Sequence, residues 1–194
     1  MGKTEPESDK EKRTSDKSGF AMCCYEWMEA LITALIIVTF LFAFAMRVVR
    51  VSGPSMLPSL HSGDRVLLFS EFYRPHQGDI VVITHTQGLS EPIIKRVIAL
   101  ENQTVDIDFS SGTVIVDGKR LDESRYIKNG ITNQPSDYRF PLTVPEGCVF
   151  VLGDNRMVSN DSRSSDVGMV NQRYILGKAE WIIYPFDRFG KVNS

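Results

Sequence analysis

From Ala30 to Met46 the chain runs for seventeen residues without a charge, Ala-Leu-Ile-Thr-Ala-Leu-Ile-Ile-Val-Thr-Phe-Leu-Phe-Ala-Phe-Ala-Met. No other stretch constrains the fold as much. As a helix the run spans about 25 Å, the short end of what a bilayer core requires. It is apolar on every face, whereas a helix at the edge of a water-soluble core keeps a polar side. Tyr25 and Trp27 precede it as candidate headgroup anchors. The run predicts a single transmembrane helix over 29–47. It divides the chain into a tail, 1–28, and a domain, 48–194.

The tail from Met1 to Ser18 is charged and polar and has no aromatic residue. Such a segment cannot bury enough surface to offset the entropy of ordering it, so disorder is expected there. Basic residues lie on both sides of the apolar run, including Arg47 and Arg50 just after it. Charge therefore does not say which side the domain faces.

Several function classes are disfavoured early. The net charge is −2, which offers no general argument for nucleic-acid binding. Three cysteines, Cys23, Cys24 and Cys148, make neither a disulfide framework nor a zinc spacing. Three histidines are scattered, with no HExxH. The chemistry is expected to work without a metal or a cofactor.

Beyond Val51 the pattern becomes that of a mainly β domain. Arg65–Phe69, Ile80–Thr84, Ile93–Leu100, Val105–Phe109, Val114–Val116, Val149–Leu152 and Ala179–Tyr184 read as strands separated by turn-formers. The stretch from Asp122 to Pro145, with Asn129-Gly130 and three prolines, is the least ordered by composition. Phe69, Phe72 and Tyr73 are candidates either for dipping into a bilayer or for ordinary packing.

Just after the apolar run comes Ser52-Gly53-Pro54-Ser55-Met56-Leu57-Pro58-Ser59-Leu60. It sets Ser55 between a Gly-Pro turn and an apolar segment. A serine hydroxyl is a weak nucleophile and needs a base. His61 is near, but no third member of a histidine triad follows from the spacing. Lys95 is the other candidate. It interrupts the run Ile93, Ile94, Val97, Ile98 and Leu100, and on a buried face desolvation lowers its pKa toward that of a usable base. Isolated strand lysines more commonly point outward and pair with a carboxylate, so both orientations remain open. Gly153 to Arg163 is a third dense feature, a polar loop following directly on a strand. It reads either as a solvated loop with weak ion pairs or as a rigid loop serving a site.

Taken together these residues resemble the bacterial type I signal peptidases, and the resemblance covers the chain from the apolar run to the C-terminus. Four boxes match in order: Ser52 to Leu60, Gly78-Asp79-Ile80-Val81, Lys95-Arg96-Val97-Ile98, and Gly153 to Arg163. The resemblance implies a single-pass membrane protein of the cell membrane, its tail cytoplasmic and its catalytic domain extracytoplasmic. It implies a serine endopeptidase whose partners are exported preproteins and the lipid bilayer. Ser55 would be the nucleophile and Lys95 the general base. Ser159 would hold the lysine amine, Asp154 would pair with Arg96, and Asp161 would pair with Arg163. Met56, Leu60 and Ile94 would line the substrate pocket, and cutting would follow a small-x-small motif through an acyl-enzyme.

Departures from that pattern are Gly53 where some members carry a serine, Ser59 for threonine, and Ala99-Leu100-Glu101-Asn102-Gln103 for Gly-Leu-Pro-Gly-Asp. Two other readings stand beside this one. A self-cleaving repressor-type serine-lysine protease shares the catalytic pair but carries a DNA-binding domain in place of the apolar run. A non-catalytic, membrane-tethered β module would present only a peptide groove.

Overall fold

The computed structural model describes Met22 and residues 24–40, 46–70, 73–127 and 132–192. The chain divides into two units, Met1–Phe44 and Ala45–Ser194.

In the first unit, residues 24–40 form a helix whose side chains are all exposed. The Thr33 and Thr39 hydroxyls donate to the carbonyls of Glu29 and Leu35 at 2.8 and 2.7 Å, satisfying themselves within the helix. The helix begins within the tail, 1–28, but after the Met1 to Ser18 segment for which disorder is expected, because Tyr25 to Glu29 continue the helix-compatible sequence N-terminally. The remainder of that tail lies outside the described residues. Among the described residues no helix is long and apolar enough to cross a membrane. The described helix trades part of the apolar run for Tyr25, Glu26 and Glu29, and 41–45 lie outside the described residues.

Among the described residues the second unit is built from twelve strands. They are β1 (Met46–Arg50), β2 (Arg65–Phe69), β3 (Ile80–Ile83), β4 (Ile93–Ala99), β5 (Thr104–Asp108) and β6 (Thr113–Val116). There follow β7 (Lys119–Arg120), β8 (Leu142–Thr143), β9 (Cys148–Leu152), β10 (Val170–Asn171), β11 (Ile175–Tyr184) and β12 (Gly190–Lys191). The main sheet runs β1-β2-β11-β3-β4-β9-β10, with β12 paired to β11. A smaller sheet runs β7-β6-β5-β8. Met46 and Arg47, assigned by the sequence to the end of the span, instead open the edge strand β1. Its register with β2 pairs Val48 with Leu67.

All four residues of β3 are buried. Ile80 and Val82 join Val51, Met56, Leu60, Val66, Leu68, Ala179 and Ile182 in one core. Val81 and Ile83 join Val97, Val149, Val151, Val167 and Val170 in another. A strand covered on both faces explains the unbroken Ile-Val-Val-Ile. A third core, with Phe150 and Leu152 of β9, Ile98 of β4, and Val105 and Val114 of the small sheet, joins the two sheets. Burial of this extent supplies most of the driving force, at roughly 25 cal/mol per Å² of apolar surface.

The turn after β4 has Asn102 where the resembled pattern places its second glycine. Asn102 takes φ +64° there. Asparagine is the side chain that tolerates this left-handed region best after glycine. The Gln103 side chain accepts from the Leu100 N–H at 2.8 Å and ties the turn.

Candidate active site

Ser55 sits half-buried in the turn that follows β1, and Lys95 is the third residue of β4. β4 lies inside the sheet between β3 and β9, so its residues from Lys95 to Ala99 are all buried. Lys95 is 3% exposed, which settles its orientation as inward. Its Nζ donates to Ser55 Oγ at 3.0 Å and to the Ile94 carbonyl at 3.0 Å. Burial pushes the amine down to about 8, since charge is costly away from water. Asp161 and Asp154 act against that shift, and Arg163 adds to it.

The loop from Gly153 reaches the pair through strand register. β9 pairs with β4, Leu152 opposite Arg96, so the next step along the ladder brings Gly153 beside Lys95. Asn155 then clamps the serine turn. Its backbone N–H donates to Ser55 O at 2.9 Å, and its side chain donates to Pro54 O at 3.2 Å. A Cβ on residue 153 would collide with the Ser159 hydroxyl and lie 2.6 Å from Ser55 O, so only glycine fits there.

Adjacent strand residues point to opposite faces. Arg96 therefore faces away from the serine, and Asp154 takes it with two bonds of 2.8 Å, to Nε and Nη2. Its Nη1 donates to Gly78 O, and Nη2 also reaches Ser59 Oγ at 3.3 Å. Asp161 likewise holds Arg163 through bonds of 2.8 and 2.9 Å and accepts from the Gly153 N–H at 3.0 Å. Both pairs are buried and doubly bonded, the geometry in which an ion pair fixes a loop in place. The Ser159 hydroxyl is buried and has no hydrogen-bond partner. The lysine amine is held instead by Ser55 and Ile94.

Ser55 and Lys95 open into a cleft of about 510 Å³. Val49 and Arg50 of β1, Ser52, Val82, and the stretch from Leu89 to Ile94 complete its lining. Of the three residues expected there, Ile94 lines the cleft. Met56 and Leu60 do not, and at 1% and 0% exposure they belong to the core packed under the serine turn. Alternation along a short irregular turn does not reveal which apolar side chain faces the cleft. His61 is exposed, and its backbone N–H donates to Asp64 at 2.8 Å.

Residues that sequence reading passed over also reach this machinery. The turn 121–127, in the stretch read as least ordered, lays the Tyr126 ring on the Arg96 guanidinium, 3.9 Å from its centre. Glu123 pairs with Arg156, which is 2% exposed. Arg156 also donates to Thr132 Oγ1 at 2.6 Å and to Gly153 O at 3.0 Å. A single sequence carries no signal linking Glu123 and Tyr126 to arginines thirty residues away on either side.

The family model described as signal peptidase, peptidase S26, matches residues 24–184. The chain is 30% identical to a signal peptidase I of Bacillus licheniformis over 94% of this chain and 98% of that one. It is 37% identical to a probable signal peptidase I-1 of Synechocystis over 84% of each chain. A crystal structure of a signal peptidase I from Enterococcus faecalis is 31% identical, covering 55% of this chain and 97% of that one, with a TM-score of 0.44.

Proposed function

The chain belongs to the signal peptidase family, peptidase S26, and from that premise we propose that Ser55 and Lys95 are the dyad that carries its reaction. It is a serine peptidase that removes signal peptides from preproteins. The observation that carries the dyad is the 3.0 Å approach of a buried lysine amine to a serine hydroxyl at the mouth of a cleft.

With the Lys95 amine neutral, the Ser55 hydroxyl donates to its lone pair. The proton passes to Nζ as Oγ forms a bond to the scissile carbonyl carbon. The oxyanion is received by backbone N–H groups, that of Ser55 foremost. Gly53 brings no side-chain hydroxyl, so that contribution is absent here. Collapse breaks the C–N bond, and the Lys95 ammonium returns its proton to the departing amine. Water then attacks the acyl-enzyme, its proton taken by Lys95, and the serine is restored. The buried Ser159 hydroxyl, next to Gly153 and unpartnered, is the group suited to receive the lysine amine once Ser55 is acylated. The Asp154–Arg96 and Asp161–Arg163 pairs hold the loop that clamps the serine. Small side chains before the cut suit a cleft floored by Val82 and Ile94.

Membrane anchorage through the apolar run, with the tail cytoplasmic and the domain extracytoplasmic, completes the reading. Anchorage holds enzyme and substrate in one plane and raises their effective concentration. Exposed apolar side chains of the domain support contact with lipid. Val48, Leu67 and Trp181 are register partners and share a face, and Phe69, Tyr184, Phe186 and Phe189 are exposed as well. Tyr73 does not belong to this set, because its hydroxyl donates inward to Asp79 at 2.7 Å. Phe72 lies outside the described residues.

Cleavage of a purified preprotein by the parent chain and by Ser55→Ala and Lys95→Ala tests the dyad. Loss of about four orders of magnitude in each variant is expected. Retained turnover in either overturns the assignment. Flotation of the full chain with phospholipid vesicles checks anchorage, and a chain left at the bottom of the gradient refutes it.

A further inference from the structure

The cleft beside Ser55 has an apolar floor, but two of its lining residues carry charge. Arg50, the last residue of β1, and Glu91, in the segment leading into β4, both line it. Both are exposed. Among the described residues neither side chain has an ion-pair or hydrogen-bond partner, and they do not pair with each other. Elsewhere in this unit, charges near the site are matched: Arg96 by Asp154, Arg163 by Asp161, Arg156 by Glu123. Unmatched opposite charges lining one cleft leave each free to meet a charge that a bound peptide brings in.

An extended peptide presents its side chains alternately to the two sides. Those that fill the apolar floor are separated by residues directed toward the walls and the solvent. We propose that Arg50 and Glu91 select substrates by the charge of these intervening residues next to the cut. Acidic side chains are favoured where the peptide passes the β1 wall, and basic ones where it passes Glu91. The inference rests on the dyad reading above and adds a second criterion to it. Small residues decide whether the peptide seats, and flanking charge decides how well.

The expected size is modest, because both groups are in contact with water. Exposed pairs are worth roughly 0.2–1 kcal/mol, about a 1.5- to 5-fold effect on kcat/KM. Such an effect weakens as salt screens it.

The test uses the full chain in detergent and a set of synthetic signal peptides that share small residues at the cut. Single Glu or Lys residues are placed between the two small residues, or at the first or second position after the cut. Ratios of kcat/KM between Lys and Glu peptides are measured for the parent, Glu91→Gln, Glu91→Lys, Arg50→Gln and Arg50→Glu. Support consists of a ratio departing from one at some position, moving toward one in the neutral variants, reversing in the charge-reversed variants, and shrinking at high salt. A merely structural role lowers kcat/KM for all peptides alike and leaves every ratio unchanged, and that result overturns the proposal while cleavage itself upholds the peptidase. Failure of the parent to cut any peptide overturns both.

Discussion

Lys95 Nζ lies 3.0 Å from Ser55 Oγ although forty residues separate them in sequence. The lysine is on an interior strand and the serine in a turn after an edge strand, so the pair exists only in the folded domain.

That relationship sets a pH dependence. In the proposed dyad the base is the neutral amine, and burial brings its pKa down to about 8. Below that value the fraction of neutral amine falls tenfold per pH unit. The expected profile of kcat/KM rises with pH and levels off above about 8. Lys95→Arg is inactive throughout, because a guanidinium stays protonated. A profile that is flat from acid to pH 8 contradicts the lysine base.

The same burial predicts a stability gain on removing the charge. The folded pKa, about 8, is below the ordinary 10.5. Between these values the unfolded chain binds more protons than the folded one, so this group's contribution improves as pH rises through the window. Below pH 8 the full penalty applies. Lys95→Met, close in volume and apolar, abolishes activity yet stabilises the domain near neutral pH by about 1–3 kcal/mol. Thermal melts at several pH values check this, with the gap between variant and parent narrowing toward pH 10.5. A variant less stable than its parent at pH 7 contradicts it.

Ser159 separates a functional hydroxyl from a structural one. Its Oγ is buried and unpartnered, and an unmatched buried hydroxyl costs roughly 1–3 kcal/mol. Ser159→Ala is expected to keep or raise the melting temperature. Misplacement of the lysine amine during turnover is expected to lower kcat by up to about 100-fold. Unchanged kcat in a stable Ser159→Ala protein removes the residue from the reaction.

The contacts of the 121–127 turn make a different prediction. Glu123→Ala leaves the Arg156 guanidinium buried with only neutral partners, at a cost of about 3–5 kcal/mol. Glu123→Ala combined with Arg156→Met is expected to recover much of that loss, since no buried charge remains. Denaturant unfolding of the single and double variants reads the difference. Strict additivity of the two substitutions refutes a coupling between them.

Several of these features could be anticipated and others could not, for physical reasons. β2 was legible because Arg65–Phe69 is a short apolar run bounded by turn-formers, and its burial alternates in the structure. β1 was not. Met46 ends the apolar run and Arg47 reads as its flanking charge, so nothing local separates an edge strand from the end of a helix. The burial of Lys95 depends on the Ser55 turn, forty residues away, packing over its face of the sheet, a contact that no window around residue 95 contains. Glu123 and Tyr126 were missed for a related reason. They sit among turn-formers, and their partners Arg156 and Arg96 are supplied by two distant segments. Recognition of the four boxes succeeded where periodicity stopped, because their order along the chain carries long-range information.

The placement of β9 also bears on when the enzyme becomes dangerous to its surroundings. The proposed nucleophile and base are both translated by residue 95. Yet β4 is not covered until β9 docks, and the serine turn is not clamped until Asn155 arrives. A nascent chain interrupted before Cys148 carries both reactive side chains and no working pair. Proteolytic competence is thus expected to wait on the segment from Cys148 to Asn155, well after both reactive side chains have been made.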